Sequence, residues 1–203
     1  MSILDKQIRS PKTRPYRMRR RAELVDETRQ RIVEAAVRLH TTIGASRASL
    51  SAVAEEAGVT RLTIYRHFPT QDELFDACRG HWRAQHPPPD PALWRDIPRF
   101  ENRLRAGLRD LYGWYRRNGG DLFPIYRDLQ VMPESVQRAM WSNDEQLVSL
   151  LVDGTHPPGQ EGRRLRAAVG HAIGFWTWRS LAVDQGLSDS DAVDLALGLV
   201  SAA

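Results

Sequence analysis

The chain has 203 residues, 41% of them apolar and 27% charged, with a formal net charge of +4. That is enough apolar material for a core in one large or two small domains, while no apolar run approaches the roughly 18 residues of a membrane span and the first residues lack the apolar centre of a signal peptide. A single cysteine, Cys78, excludes an intrachain disulfide and a cysteine-rich zinc site, so a reducing, cytoplasmic location is expected.

Charge is unevenly placed. Before Ala22 eight lysines and arginines face Asp5 alone, a net +7 that leaves −3 for the remainder. Residues 1–24, with Pro11 and Pro15 among the arginines, are expected to form a basic, disordered or extended arm whose natural partner is a polyanion. A solvated tail and an arm that follows DNA phosphates or enters a minor groove both fit this pattern.

A helix is expected over 26–43, with Asp26 and Glu27 in its first turn and Ile32, Ala36, Leu39 and Ile43 along one face. Gly44 to Arg47 then turn the chain. Ser49 can cap a second helix, in which Leu50, Val53, Ala54 and Ala57 recur at helical spacing, and Gly58 sits where that helix must end with a positive φ. Thr60 can cap a third helix. In it Ile64 faces inward, Leu62 or Phe68 can join it, and Arg61, Thr63, Tyr65, Arg66 and His67 can point away. Two short helices about a tight corner, the second offering polar and basic groups, make a helix-turn-helix candidate. Thr70-Gln71-Asp72-Glu73 is a capping box that opens the next helix, through Leu74, Phe75, Cys78 and Trp82.

The run Ile64-Tyr65-Arg66-His67-Phe68-Pro69-Thr70-Gln71-Asp72-Glu73-Leu74 resembles the signature that closes the DNA-binding domain of the TetR/AcrR (tetracycline-repressor) family, and the resemblance extends from about Thr28 to Phe75. It implies an all-α fold: an N-terminal three-helix DNA-binding domain over 25–86, and a helical effector-binding and dimerisation domain over 92–203. It also implies a division of labour in the third helix, with Thr60, Tyr65 and His67 suited to phosphates, Arg61, Leu62 and Thr63 to base edges, and Arg66 to either. Arg47, Ser49 and Gln71 complete the candidate contacts, with Arg29 as a further backbone contact. Two residues depart from the family pattern: Gln71 stands where a lysine usually pairs with phosphate, and Leu62 where glycine is frequent.

His86-Pro87-Pro88-Pro89-Asp90-Pro91 cannot continue a helix and marks the expected domain boundary. Beyond it, helices are expected over 99–117, stopped by Asn118-Gly119-Gly120, over 121–129, and after Pro133 until Gly154. A long apolar helix should follow over 163–185, closed by Gly186, and a last one after Ser188. Small residues in the last two, among them Gly170, Gly174, Ala182 and Gly198, permit close backbone approach. By the resemblance these two helices pair with a second copy of the chain in a homodimer.

An effector pocket is expected in the C-terminal domain, where Trp114, Tyr115, Phe123, Tyr126, Met132, Met140, Trp141, His171, Phe175 and Trp178 combine apolar walls with hydrogen-bonding tips. His171, Phe175 and Trp178 share a helix face at i, i+4, i+7, which makes them the leading trio for that pocket. Core packing is the competing role for each aromatic. No histidine spacing suits a metal, no cofactor is expected, and there is neither a phosphate-binding glycine loop nor a nucleophile elbow. The expected function is a ligand-responsive regulator, read as a repressor, that binds a palindromic operator in double-stranded DNA and is released by a small-molecule effector. An all-helical enzyme using the motif as scaffold and a ligand-free architectural DNA-binding protein are the alternatives.

Overall fold

The computed structural model describes residues 13–155 and 158–202, and every regular element among them is helical. Four helices make the N-terminal part: α1 (Thr13–Thr42), α2 (Leu50–Glu56), α3 (Arg61–His67) and α4 (Gln71–Gln85). Beyond the proline run come α5 (Ala92–Arg95), α6 (Phe100–Arg127), α7 (Glu134–Leu151), α8 (Gly159–Ala172), α9 (Phe175–Trp178) and α10 (Asp189–Ser201).

The side chains form two cores. Ile32, Val33 and Ala36 of α1 meet Val53 and Ala54 of α2, Ile64 of α3 and Leu74 and Cys78 of α4, with Phe68 sealing the corner. The second core is built on α6, whose Leu104, Leu108, Leu111, Tyr112 and Tyr115 meet α7, α8, α9 and α10. Arg103 is buried in it, and its guanidinium donates to the carbonyls of Ile97, Leu151 and Asp153, so one charged group holds the end of α7 against the start of α6. Arg116 clasps Asp189 through two nitrogens, Nη2 at 2.7 Å, and so fixes α10 along α6.

Three sequence expectations are corrected. First, α1 begins at Thr13, so 13–24 is helical where an irregular arm was expected; residues 1–12 lie outside the described residues. Composition favoured disorder because apolar content is low, but Met18 to Leu24 consists of strong helix formers, Arg19 pairs with Glu23 at 3.0 Å one turn on, and Pro15 sits in the first turn, where its missing N–H is harmless.

Second, α6 runs unbroken through Gly119-Gly120 and Pro124, merging two expected helices. Neither glycine takes a positive φ. Gly119 is instead a packing residue: a Cβ there would lie 2.8 Å from the Trp178 indole.

Third, the expected long helix over 163–185 breaks at Gly174, which is extended, and its second half contains a π-helical turn over Arg179–Asp184 before Gly186 closes it at φ +70. The break leaves carbonyls without helical partners. Tyr112 and Tyr115 reach across from α6 and donate to the carbonyls of Ala172 and Ile173 at 2.8 and 3.0 Å, and Thr177 donates to that of His171.

His40, near the end of α1, is 5% exposed and stacks flat on Phe75, ring centres 4.7 Å apart. Burial lowers its pKa from 6.5 to about 4. The unfolded chain therefore takes up this proton first, so the contribution is complete above pH 6.5 and declines as pH falls towards 4, by up to about 1.4 kcal/mol per pH unit. His40→Phe keeps the stack and removes the proton. Urea denaturation between about pH 7 and pH 4.5 is expected to show a shallower loss of stability in this variant than in the parent chain.

Candidate nucleic-acid interface and ligand cavity

The corner formed by α2 and α3 depends on two caps and one glycine. Ser49 Oγ accepts from the Ala52 amide and Thr60 Oγ1 from the Thr63 amide, each at 3.2 Å. Gly58 has φ +64, which only glycine adopts without strain. With Ile64 and Phe68 fixed in the core, α3 presents Arg61, Leu62, Tyr65 and Arg66 to solvent, while Thr63 and His67 are half-buried. Leu62 is 60% exposed and Tyr65 44%. The Thr60 and Thr63 hydroxyls lie 2.9 Å apart and satisfy each other. Arg47, Ser49 and Gln71 are exposed on the same part of the molecule, at the turn before α2 and the starts of α2 and α4. Arg29 lies over the Phe68 ring at 4.6 Å, so its guanidinium braces the end of α3.

A polar latch joins this domain to α6. Asp128, at the end of α6, is 7% exposed. Its Oδ2 accepts from the Ser46 amide at 3.0 Å and from the Ser46 hydroxyl at 2.6 Å, and its Oδ1 from Arg127 Nε at 2.7 Å. Arg127 also donates to the Ile43 carbonyl at 2.9 Å. Arg127 foremost, then Ser46, hold the Asp128 carboxyl well below the usual carboxylate range. Gly44 is required twice over, by its φ of +92 and because a Cβ would collide with Arg127 and Asp128.

Between the two cores lies a cavity of about 260 Å³. Of the residues expected to bind an effector, Trp114, Tyr115, Tyr126 and Met140 line it, together with Met132. Phe123, Trp141, His171, Phe175 and Trp178 do not. Phe123 is covered by Arg179 at 4.2 Å, Trp141 and His171 are exposed on the surface, and Phe175 and Trp178 are core, with Trp178 Nε1 unpartnered among the described residues. Phe175 backs the cavity from behind, stacked 4.4 Å from Tyr126. The break at Gly174 explains the failed trio: His171 ends one helix and Phe175 begins another.

The cavity is not confined to the C-terminal domain. His40 and Thr41 of α1, Phe75, Cys78 and Trp82 of α4, and the prolines at 88, 89 and 91 all contribute to its wall. Trp82 spans the junction, its Nε1 donating to Asp121 of α6 at 3.0 Å and its ring edge-on to Trp114 at 5.8 Å. Burial raises the Cys78 thiol to about 12, so this cysteine is an apolar wall group and not a nucleophile.

The family model described as "Bacterial regulatory proteins, tetR family" matches residues 32–78, the stretch that holds the helix-turn-helix. The N-terminal stretch is thus similar to the DNA-binding domain of the TetR family. Among curated relatives, the transcriptional regulator TtgR of Pseudomonas putida is 47% identical over 69 residues, 34% of this chain and 33% of the relative, and AcrR of Shigella flexneri is 44% identical over 57 residues, 28% and 26% of the two chains. The matched region spans about a quarter to a third of these relatives' length. The fold as a whole is TetR-like: a TetR-like regulator from Rhodococcus sp. RHA1 superposes with a TM-score of 0.58 at 23% identity, over 85% of this chain and 93% of that one. The multidrug binding protein EbrR, solved with imidazole, gives 0.55 at 25% identity, over 85% and 89%. TetR-family regulators are not enzymes, and no helix among the described residues is long and apolar enough to cross a membrane.

The latch is testable by a double-mutant cycle. Asp128→Ala and Ser46→Ala are each expected to lower unfolding free energy by about 1 to 3 kcal/mol, and the double variant to lose clearly less than the sum, as for two partners of one buried charged hydrogen bond. Urea denaturation of the four proteins measures the coupling.

Proposed function

We propose that the chain is a cytoplasmic, ligand-responsive transcriptional repressor that binds a palindromic operator as a homodimer and leaves it when a small molecule fills the cavity. The observation that carries this reading is the composition of the cavity wall. Helices α1 and α4 of the DNA-binding domain and α6 and α7 of the other domain enclose the same space, so an occupant touches both. EbrR, of similar fold, is a multidrug binding protein, which supports an effector role for this space.

The homodimer reading draws on the outer face of the last elements. Ala182, Ala196 and Leu197 are used up in the chain's own core, but Trp176, Val183, Leu195 and Leu199 are 44 to 56% exposed. Leu195, Gly198 and Leu199 fall on one side of α10, a stripe that suits a second copy. Such a pair would place its recognition helices about 34 to 36 Å apart, in successive major grooves. An effector that prefers the non-binding arrangement by about 100-fold supplies about 2.7 kcal/mol for release.

On DNA, Arg61, Leu62 and Thr63 would face bases and Tyr65, His67 and Thr60 phosphates, with Arg47, Ser49 and Gln71 at the edges and Arg66 in either role. The exposed Arg19, Arg20 and Arg21 on the early turns of α1 would add phosphate contacts.

Selection of bound fragments from genomic DNA is expected to return a recurring inverted repeat; fragments without a common sequence would favour an architectural protein. On the selected operator, Arg61→Ala is expected to cost about 1 to 3 kcal/mol and to relax preference at one base pair, whereas an equal loss on all sequences would move Arg61 to phosphate. Deleting residues 2–21 is expected to flatten the dependence of log affinity on log salt by about 0.9 for each phosphate no longer neutralised; an unchanged slope would remove the basic segment from the interface.

A further inference from the structure

The cavity wall is aromatic and apolar with one exception that stands out chemically. Asp144 of α7 lines it, half-buried, and its only hydrogen bond among the described residues is a long one, 3.5 Å, from its neighbour Asn143. No arginine, lysine or histidine comes within ion-pairing distance of its carboxylate among those residues, although Arg79 and Arg83 lie on the same wall. Arg79 is turned to Asp76 at 3.3 Å, and Arg83 is exposed. Burial raises the Asp144 pKa, and the carboxylate helps to raise the phenols of Tyr115 and Tyr126, which line the same cavity, while Arg83 acts in the opposite sense on Tyr126.

A partly desolvated carboxylate without a cation beside it is costly, and a ligand that brings the missing charge recovers that cost. The neighbouring rings favour the same charge, since the faces of Trp and Tyr attract cations. Tyr126 has one face stacked on Phe175 and still reaches the cavity, and Trp82 and Trp114 meet edge to face across the domain junction. At about 260 Å³ the space suits a compact ligand.

We propose that the cavity takes a compact aromatic monocation, with its charge against the Asp144 carboxylate and its rings among Trp82, Trp114 and Tyr126. This rests on the reading of the cavity as the effector site and names the chemical class of that effector. Asp144 supplies the selectivity and the aromatic wall the fit.

Three probes of one ring system separate charge from shape: N-methylacridinium, neutral acridine, and anionic acridine-9-carboxylate, titrated calorimetrically into the full chain near neutral pH. N-methylacridinium is expected to bind about tenfold or more tightly than acridine, and the anion most weakly. Asp144→Asn should bring the cation down to the affinity of acridine while leaving acridine within about twofold, and Asp144→Glu should restore most of the preference. Equal affinity of the parent chain for the cation and acridine, tighter binding of the anion, or a cation preference that survives in Asp144→Asn overturns the proposal. The comparison among probes in the parent chain needs no variant and stands if a variant does not fold. Release of a selected operator is measured separately. A cation bound through Asp144 without DNA release leaves the ligand class intact and removes the effector reading. Release by a compound that binds with no charge preference does the reverse.

Discussion

The Asp128 carboxylate is where the two halves of the molecule are held in register by directed bonds. Apolar contact between α1, α4 and α6 can slide, because burial has no preferred direction. Two hydrogen bonds from Ser46 onto a buried carboxylate that Arg127 also grips through two nitrogens cannot slide without being broken. The latch lies at the turn between α1 and α2, and its other end is the last turn of α6, directly after Tyr126, Leu122 and Ile125 of the cavity wall. The turn before α2 and the cavity wall therefore share a connection one helical turn long.

Helix α6 makes that connection possible. Its 28 residues carry Arg103 at one end, Tyr112 and Tyr115 in the middle and Arg127 at the other end, where Asp128 follows as the cap. Had it stopped at Gly119, Leu111, Trp114 and Tyr115 of the cavity wall would have been separated from the latch by a flexible joint. It continues because Gly119 is needed for its missing Cβ, not for its conformational freedom, and the Trp178 indole occupies the space so made. The same helix stabilises the break at Gly174 by donating two tyrosine hydroxyls to the carbonyls exposed there.

Much of the N-terminal domain was legible in the residues, because its signals are local. Ser49, Thr60 and Thr70 cap the helices they were expected to cap, and Gly58 takes the positive φ its corner demands. The errors arose where a local signal has two physical meanings. Gly-Gly reads as a helix stop but can serve packing, and a basic run reads as disorder but can be helical when Arg19 meets Glu23. The π-helical turn and the break at Gly174 have no periodicity of their own and are set by partners on α6. In the cavity, Trp114, Tyr115, Tyr126 and Met140 could be found by looking for aromatics and thioethers in the C-terminal region, but His40, Phe75, Trp82 and Asp144 could not. Their membership depends on how α1, α4 and α7 come together, which is long-range information. The partnership of Ser46 with Asp128, 82 residues apart, is of the same kind.

The energies involved fit a switch on the proposed reading. A latch of charged hydrogen bonds contributes about 1.5 to 3 kcal/mol, and a 100-fold effector preference is worth about 2.7 kcal/mol. A much stronger latch would hold the DNA-binding domain in place whatever filled the cavity. A much weaker one would let α1 and α2 drift and lose the spacing of two recognition helices without any ligand. Because the cavity wall takes His40 and Phe75 from one side and Tyr126 from the other, a ligand too thick for the gap has one direct way to lower its free energy. On that reading it moves α1 and α4 away from α6, and the bonds to Ser46 and Ile43 resist that movement with an energy comparable to a 100-fold effector preference.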